Sequence, residues 1–169
     1  MALSPYWSAK PGPPAITRLL VSAVEHPSVL GGGRFGAGVT HTIAVDSQGL
    51  VVRDELRALL AGGPAMVSVM LANNETGVVQ PVAEATALVH AVRGLLHVDA
   101  VQGPGRIACD FKALGADLMT LSSHKIGGPQ GVGALVVRDG LVLDGAIRGG
   151  GQERGMRAGT ENVAGIAGF

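Results

Sequence analysis

Lys125 stands in Leu121-Ser-Ser-His-Lys-Ile-Gly-Gly-Pro-Gln-Gly131, a glycine-rich loop between two apolar runs, Asp117–Leu121 and Val132–Val137. Asp99 closes another apolar run, Leu95-Leu-His-Val-Asp99, 26 residues upstream of the lysine. The runs read as buried strands, so an acid and a lysine fall at strand termini. A lysine amine withdrawn from water loses proton affinity and becomes a nucleophile toward an aldehyde. A buried carboxylate can hold a proton on a pyridine nitrogen, and that positive charge in turn makes its burial tolerable. Together they meet the requirements of pyridoxal phosphate (PLP), in which a Schiff base to lysine and a protonated ring create an electron sink.

The polar residues nearby have ordinary uses as well. Asn74 and Gln102 are loop amides, and both can donate to a ring phenolate oxygen. Ser122 and His124 can satisfy loop backbone groups, or bind phosphate oxygens beside backbone N–H groups. His26 precedes Pro27 at a strand end; by default it is a surface imidazole, and its functional alternative is to stack on a planar cofactor. Arg154 and Arg157 read as solvated cations. Cys109, within Arg106-Ile-Ala-Cys-Asp110, reads as a small buried hydrophobe rather than a nucleophile. Singly these residues say little; their order and spacing on one chain say more.

The frame that must position them is legible in outline. Pro, Ser and Gly crowd residues 1–15, which predicts no regular structure there. Residues 19–23 predict a short strand leading into Glu25-His-Pro-Ser28, with Ser28 a candidate helix cap. Gly31-Gly-Gly33 keeps any helix short, because an interior glycine costs about 1 kcal/mol relative to alanine. Residues 38–45 alternate and favour β-branched side chains, a strand signal. Leu56, Leu59 and Leu60 give 53–60 a helical spacing that Gly62-Gly63 ends. Beyond that come a strand at 66–71, a loop at 73–77 and a helix at 81–92 with Pro81 in its first turn. A strand at 95–99, a helical turn at 111–114 and a strand at 117–121 follow. Strands alternating with helices predict an α/β fold with a mostly parallel sheet and flanking helices. Ligands of such sheets sit at the carboxyl ends of strands, where Asn74, Asp99 and Lys125 all fall. Residues 148–162 are too rich in glycine and charge for a core element and read as a functional loop.

The 169 residues suit a single domain. Thirteen basic and thirteen acidic side chains balance, so no net field favours nucleic acid or an anionic membrane surface. Apolar residues make up 47% of the chain and aromatics only 3%, which suits Ala-, Val- and Leu-rich strands covered on both faces. A single cysteine excludes an internal disulfide framework and fits a reducing, cytoplasmic setting. No apolar run reaches the roughly 18 residues of a membrane span, and the start lacks the basic and apolar regions of a signal peptide. Gly149-Gly-Gly151 does not have the spacing of a nucleotide-binding fingerprint.

Five stretches together resemble the cysteine desulfurases, PLP enzymes of the class V aminotransferase group, and their iron–sulfur-assembly branch in particular. They are Val24-Glu-His-Pro-Ser-Val29, Asn73-Asn-Glu-Thr-Gly-Val-Val-Gln-Pro81, His97-Val-Asp-Ala-Val-Gln102, Ser122-Ser-His-Lys125 and residues 149–162. The resemblance runs over residues 18–169. It implies the fold-type I PLP-transferase large domain, with residues 1–17 a non-matching irregular segment and the C-terminal small domain absent. It implies that Lys125 carries the Schiff base and that His26, stacked on the ring, joins it in catalysis. Asp99 would partner the pyridine nitrogen, Gln102 and Asn74 the phenolate side, and Ser122 and His124 the phosphate. Thr160 would reach the phosphate of the other subunit of a homodimer, and no metal is expected.

The implied reaction takes sulfur from L-cysteine, giving L-alanine and an enzyme persulfide for an iron–sulfur scaffold or another sulfur acceptor protein. Two family parts have no match here: an upstream phosphate-cradling turn, and a downstream cysteine loop with a carboxylate-binding arginine. The chain is therefore expected to be truncated at both ends and not to release sulfide from L-cysteine alone. Two alternatives stay open. One is another class V aminotransferase or lyase acting on a different amino acid; the other is an inactive fragment that binds PLP or dimerises.

Overall fold

Runs of aliphatic residues build a six-stranded sheet in the computed structural model, which describes residues 2–9, 16–143 and 147–169. The strands are β1 (Trp7–Ala9), β2 (Leu19–Ser22), β3 (Thr40–Ile43), β4 (Met66–Met70), β5 (Leu95–Asp99), β6 (Leu118–Ser122), β7 (Gly133–Val137) and β8 (Leu141–Leu143). The helices are α1 (Pro27–Leu30), α2 (Arg53–Leu60), α3 (Val82–Ala91), α4 (Phe111–Leu114) and α5 (Val163–Ala167). The main sheet has the order β3-β2-β4-β5-β6-β7, and β1 pairs with β8 apart from it. Its neighbours are parallel up to β6, and β7 is antiparallel to β6.

The order reverses between β2 and β4. From β2 the chain goes out to β3 at one edge, whereas β4, β5 and β6 step the other way. At such a switch point the loops leaving the two central strands part, and a crevice opens at their carboxyl ends.

Strand alternation explains why both faces are apolar. Val67, Val69, Leu96 and Val98 pack with Leu56 and Leu60 of α2 and with Val82, Ala85 and Val89 of α3. Leu19, Val21, Met66, Leu95 and Leu118 face the other way, against Trp7, Ile16, Val29, Leu141 and Leu143. A sheet buried on two sides reads as continuous hydrophobic runs, as these strands do. In α3 the buried positions Val82, Ala85, Thr86 and Val89 recur at helical spacing. Thr86 escapes an unpaired hydroxyl by donating to Leu114 O at 2.8 Å.

Four features of the structure go beyond or against the sequence-based expectations, within the mostly parallel sheet that the sequence predicts. Residues 1–17 are expected to be irregular, yet Trp7–Ala9 pairs antiparallel with Leu141–Leu143. Trp7 is only 4% exposed, and its Nε1–H donates to Ala2 O at 2.8 Å. Burying one indole removes enough apolar surface to order a segment whose Pro and Ser content argues for loop. Residues 10–15 of that segment lie outside the described residues. Second, β8 is too short to show a period in the sequence. Third, β7 is antiparallel because no crossover helix links it to β6, and a parallel return needs one. Fourth, His26 rather than Ser28 caps α1, its Nδ1 accepting from Ser28 N–H at 3.2 Å.

Candidate functional site

A cavity of about 370 Å³ opens where β2, β4, β5 and β6 end, a size typical of small-ligand sites. Seven residues singled out in the sequence line it: His26, Asn74, Asp99, Gln102, Ser122, His124 and Lys125. Met70, Ala72 and Val101 add apolar wall.

The backbone of Lys125 is held tightly. After Ser122 the chain coils into a 3-10 turn, Ser123–Ile126, that carries the lysine into the cavity. Gly127 closes the turn with a left-handed φ of 88°. Gly128 N–H donates back to Ser123 O at 3.0 Å. A Cβ on Gly128 would stand 2.2 Å from Ser123 Oγ and 2.9 Å from Gly168 O, so only glycine fits there. Arg106, on the loop after β5, donates from Nη2 to Lys125 O at 2.8 Å. The side chain itself is half-buried. The sequence predicts a lysine shielded between strands; instead the turn lifts it off the strand end into the open cavity.

Asp99 ends β5 and is 9% exposed. Burial pushes its carboxyl above the usual carboxylate range, while the Val101 N–H, donating to Oδ1 at 3.0 Å, and the nearby His26 pull the other way. An acid so placed ionises most readily when a cation lies against it. His26 Nδ1 lies 2.8 Å from Ser28 Oγ, which fixes the ring at the start of α1. Ser122 Oγ and His124 Nδ1 are 2.8 Å apart at the cavity wall. Asn74 is exposed and donates its amide to Glu75 Oε1 at 2.6 Å.

One sequence candidate, Thr160, stands away from this cluster, as does Cys109. Thr160 is exposed and does not line the cavity. Cys109 is half-buried rather than buried, with Sγ 3.9 Å from Met119 Sδ, and burial pushes its thiol up, away from the nucleophilic thiolate. Two residues escaped the sequence reasoning. Arg106 clamps the Lys125 carbonyl, and Glu25 lies buried beside His26. The only signal was their presence in motifs read for other residues.

Residues 13–169 match the family described as Aminotransferase class-V. The chain belongs to this family. A cysteine desulfurase of Gluconacetobacter diazotrophicus is 46% identical over 156 residues, which are 89% of this chain and 39% of the relative. A cysteine desulfurase of Nostoc is 45% identical over 160 residues, 92% of this chain and 40% of the relative. The solved NifS-like protein from Rickettsia africae matches with a TM-score of 0.85 at 42% identity, over 90% of this chain and 43% of that one. A structure described as SspA in complex with cysteine matches with a TM-score of 0.80 at 31% identity, over 90% of this chain and 46% of that one. The chain thus spans about two fifths of the length of the curated relatives it matches. Its mostly parallel sheet with flanking helices is that of the NifS-like fold-type I enzymes.

Class V aminotransferases and cysteine desulfurases depend on PLP. The cavity fits that cofactor. Asp99 is a buried acid that gains from a cationic partner, and Lys125 brings a primary amine to the same space. Ser122 and His124 bring donors for phosphate, and Met70, Ala72 and Val101 an apolar surface for a ring.

Proposed function

We propose that this chain forms the PLP-holding part of a cysteine desulfurase, acting on L-cysteine. The observation that carries the reading is that Lys125 and Asp99 line one cavity at the switch point of the sheet. The cysteine desulfurase relatives support the substrate, as does a structural neighbour solved with cysteine.

Bound here, PLP supplies an electron sink for the bonds broken at the substrate α-carbon. The rest falls to the chain. Lys125 Nζ would hold the cofactor through its aldehyde and would be the group that moves a proton at the substrate α-carbon. Asp99 would keep a proton on the ring nitrogen, and His26 would cover the ring. Gln102 and Asn74 would donate to the phenolate oxygen, Asn74 through the amide hydrogen that Glu75 does not take. Ser122 and His124 take the phosphate. Arg106 and the glycines after Lys125 keep its backbone in place, so that the amine is oriented before reaction. Thr160, away from this cavity, serves the phosphate of a second copy, which makes a homodimer part of the reading. Breaking the substrate's C–S bond needs an attacking thiolate, which the raised Cys109 thiol does not provide. An acceptor protein's cysteine would provide it, becoming the persulfide as alanine is left. The resemblance of residues 149–162 to the iron–sulfur-assembly branch favours a scaffold as the final acceptor.

The test is cofactor binding by Asp99→Ala. It should keep the visible band of lysine-held PLP but bind the cofactor about tenfold more weakly or worse, since a charged hydrogen bond at a buried site is lost. Absorbance titration reads the affinity, with circular dichroism as a check on folding. An unchanged affinity removes Asp99 from this role.

A further inference from the structure

Glu25 sits between the turn that presents His26 and the strands that present Asp99. β2 leaves the sheet after Ser22, so among the described residues the end of β4 has no strand on that side. Met66 N–H donates to Arg18 O across this edge at 2.9 Å, and every second residue of β4 points the same way. Met70 N–H therefore faces a missing carbonyl, and the Glu25 carboxyl takes its place. Oε1 accepts from Met70 N–H and from Ser22 Oγ, the latter at 3.0 Å. Met70 stands opposite Asp99 in the β4–β5 register, and Leu71 N–H donates to Asp99 O at 2.8 Å. Asn73 Nδ2 adds a second stitch from the loop after β4, donating to Val24 O at 2.9 Å.

Stitching alone does not require an acid. Two further features single out the carboxyl. Glu25 is 4% exposed, and its Oε2 has no hydrogen-bond partner among the described residues. Burial pushes the carboxyl up to about 7, against the pull of the Met70 N–H and the Ser22 hydroxyl, and the charge of Asp99 pushes the same way as burial. Coupling of this kind is reciprocal: a cation set against Asp99 relieves the repulsion and lets Glu25 ionise. Asp99 is the charged group that acts on it. Among the described residues its own turn adds His26, β5 adds His97, and His124 and Lys125 line the cavity that Asp99 also lines. β2 and β4 bring no titratable side chain, and β3 brings His41, opposite Leu20.

We propose that Glu25 is a positioning residue of the cofactor site, one that locks the His26 turn to the Asp99 strand end and exchanges its proton with the charge placed against Asp99. This deepens the PLP reading and rests on it, the pyridinium being that charge.

The full chain is titrated with PLP as wild type, Glu25→Gln and Glu25→Ala, by absorbance and by calorimetry in two buffers of different ionisation enthalpy, on both sides of pH 7. Glu25→Ala, which opens the stitch, should bind about tenfold more weakly throughout. Glu25→Gln, which keeps the Oε1 acceptor, should come close to wild type at pH 6. At pH 8 it should fall several-fold behind, and it should release fewer protons near neutrality. Wild-type affinity in Glu25→Ala overturns the lock. A Glu25→Gln to wild-type affinity ratio that is the same at pH 6 and pH 8, with equal proton release, overturns the exchange. If the wild type itself takes up no PLP, the PLP reading fails separately, and the coupling is read in the cofactor-free chain. There the carboxyl ¹³C titration of Glu25 should have a lower midpoint in Asp99→Asn than in wild type, and an unmoved midpoint overturns the proposal.

Discussion

Asp117→Ala is expected to lower the free energy of unfolding by about 2–4 kcal/mol, a large part of the stability of a small domain. Asp117 is fully buried at the amino end of β6, opposite the edge that carries the cavity. Its Oδ2 accepts from Leu96 N–H at 2.7 Å and lies 2.9 Å from His90 Nε2, while Arg138 Nε stands 2.6 Å from Oδ1. One carboxylate thus joins β5, the end of α3 and the chain after β7. Removing it leaves the Leu96 N–H buried without an acceptor and breaks the His90 hydrogen bond and the Arg138 ion pair. His90 and Arg138 are half-exposed and regain water, which keeps the loss below that of a fully buried pair. Urea unfolding followed by circular dichroism measures it. A change under about 0.5 kcal/mol, the range of ordinary surface substitutions, would sink the assignment of Asp117 as a structural hub.

Glu25→Gln is expected to stabilise the cofactor-free chain at pH 8, by an amount on the order of 3 kcal/mol, and to do almost nothing near pH 4.5. The sign follows from the raised carboxyl. Its pKa goes from 4.5 to about 7 on folding, so between those values the folded chain holds a proton that the unfolded chain has lost. Wild-type stability from this group is complete below 4.5 and is lost as pH rises through about 7. Glutamine carries no charge at either pH and keeps the acceptor for Met70 N–H and Ser22, so the penalty at high pH disappears. Chemical unfolding of both proteins at several pH values is the check. A pH-independent difference between the two curves would show that Glu25 does not titrate in this window.

The parts of the fold with local signals were readable in advance. β5 and α2 fall where the apolar run Leu95–Asp99 and the spacing of Leu56, Leu59 and Leu60 place them. The gathering of His26, Asn74, Asp99, Gln102, Ser122, His124 and Lys125 follows from one rule, that loops leaving parallel strands share a sheet edge. What escaped depends on partners distant in sequence. Trp7 finds its strand at Leu143, near the other end of the chain, and no pattern around Trp7 announces that. Glu25 is an unremarked acid until β2 leaves the sheet and Met70 N–H needs an acceptor. Arg106 looks solvated until the loop after β5 meets the Lys125 turn. The half-exposure of Lys125 depends on a tight turn whose shape rests on Gly127 and Gly128 together.

Lys125 carries the cofactor reading, and the chain offers three lysines to decide among: Lys10, Lys112 and Lys125. Lys112 lies in α4, ahead of the amino end of β6, whereas the cavity opens past its carboxyl end. The direct measurement is to load the full chain with PLP, reduce it with borohydride, digest it and locate the pyridoxyl mass by peptide mapping. The expected result is modification of the Lys125 peptide alone, with both the label and the visible absorption band lost in Lys125→Ala. Label on Lys10 or Lys112 in comparable yield, persisting with the band in Lys125→Ala, would contradict the assignment of this cavity as the PLP site.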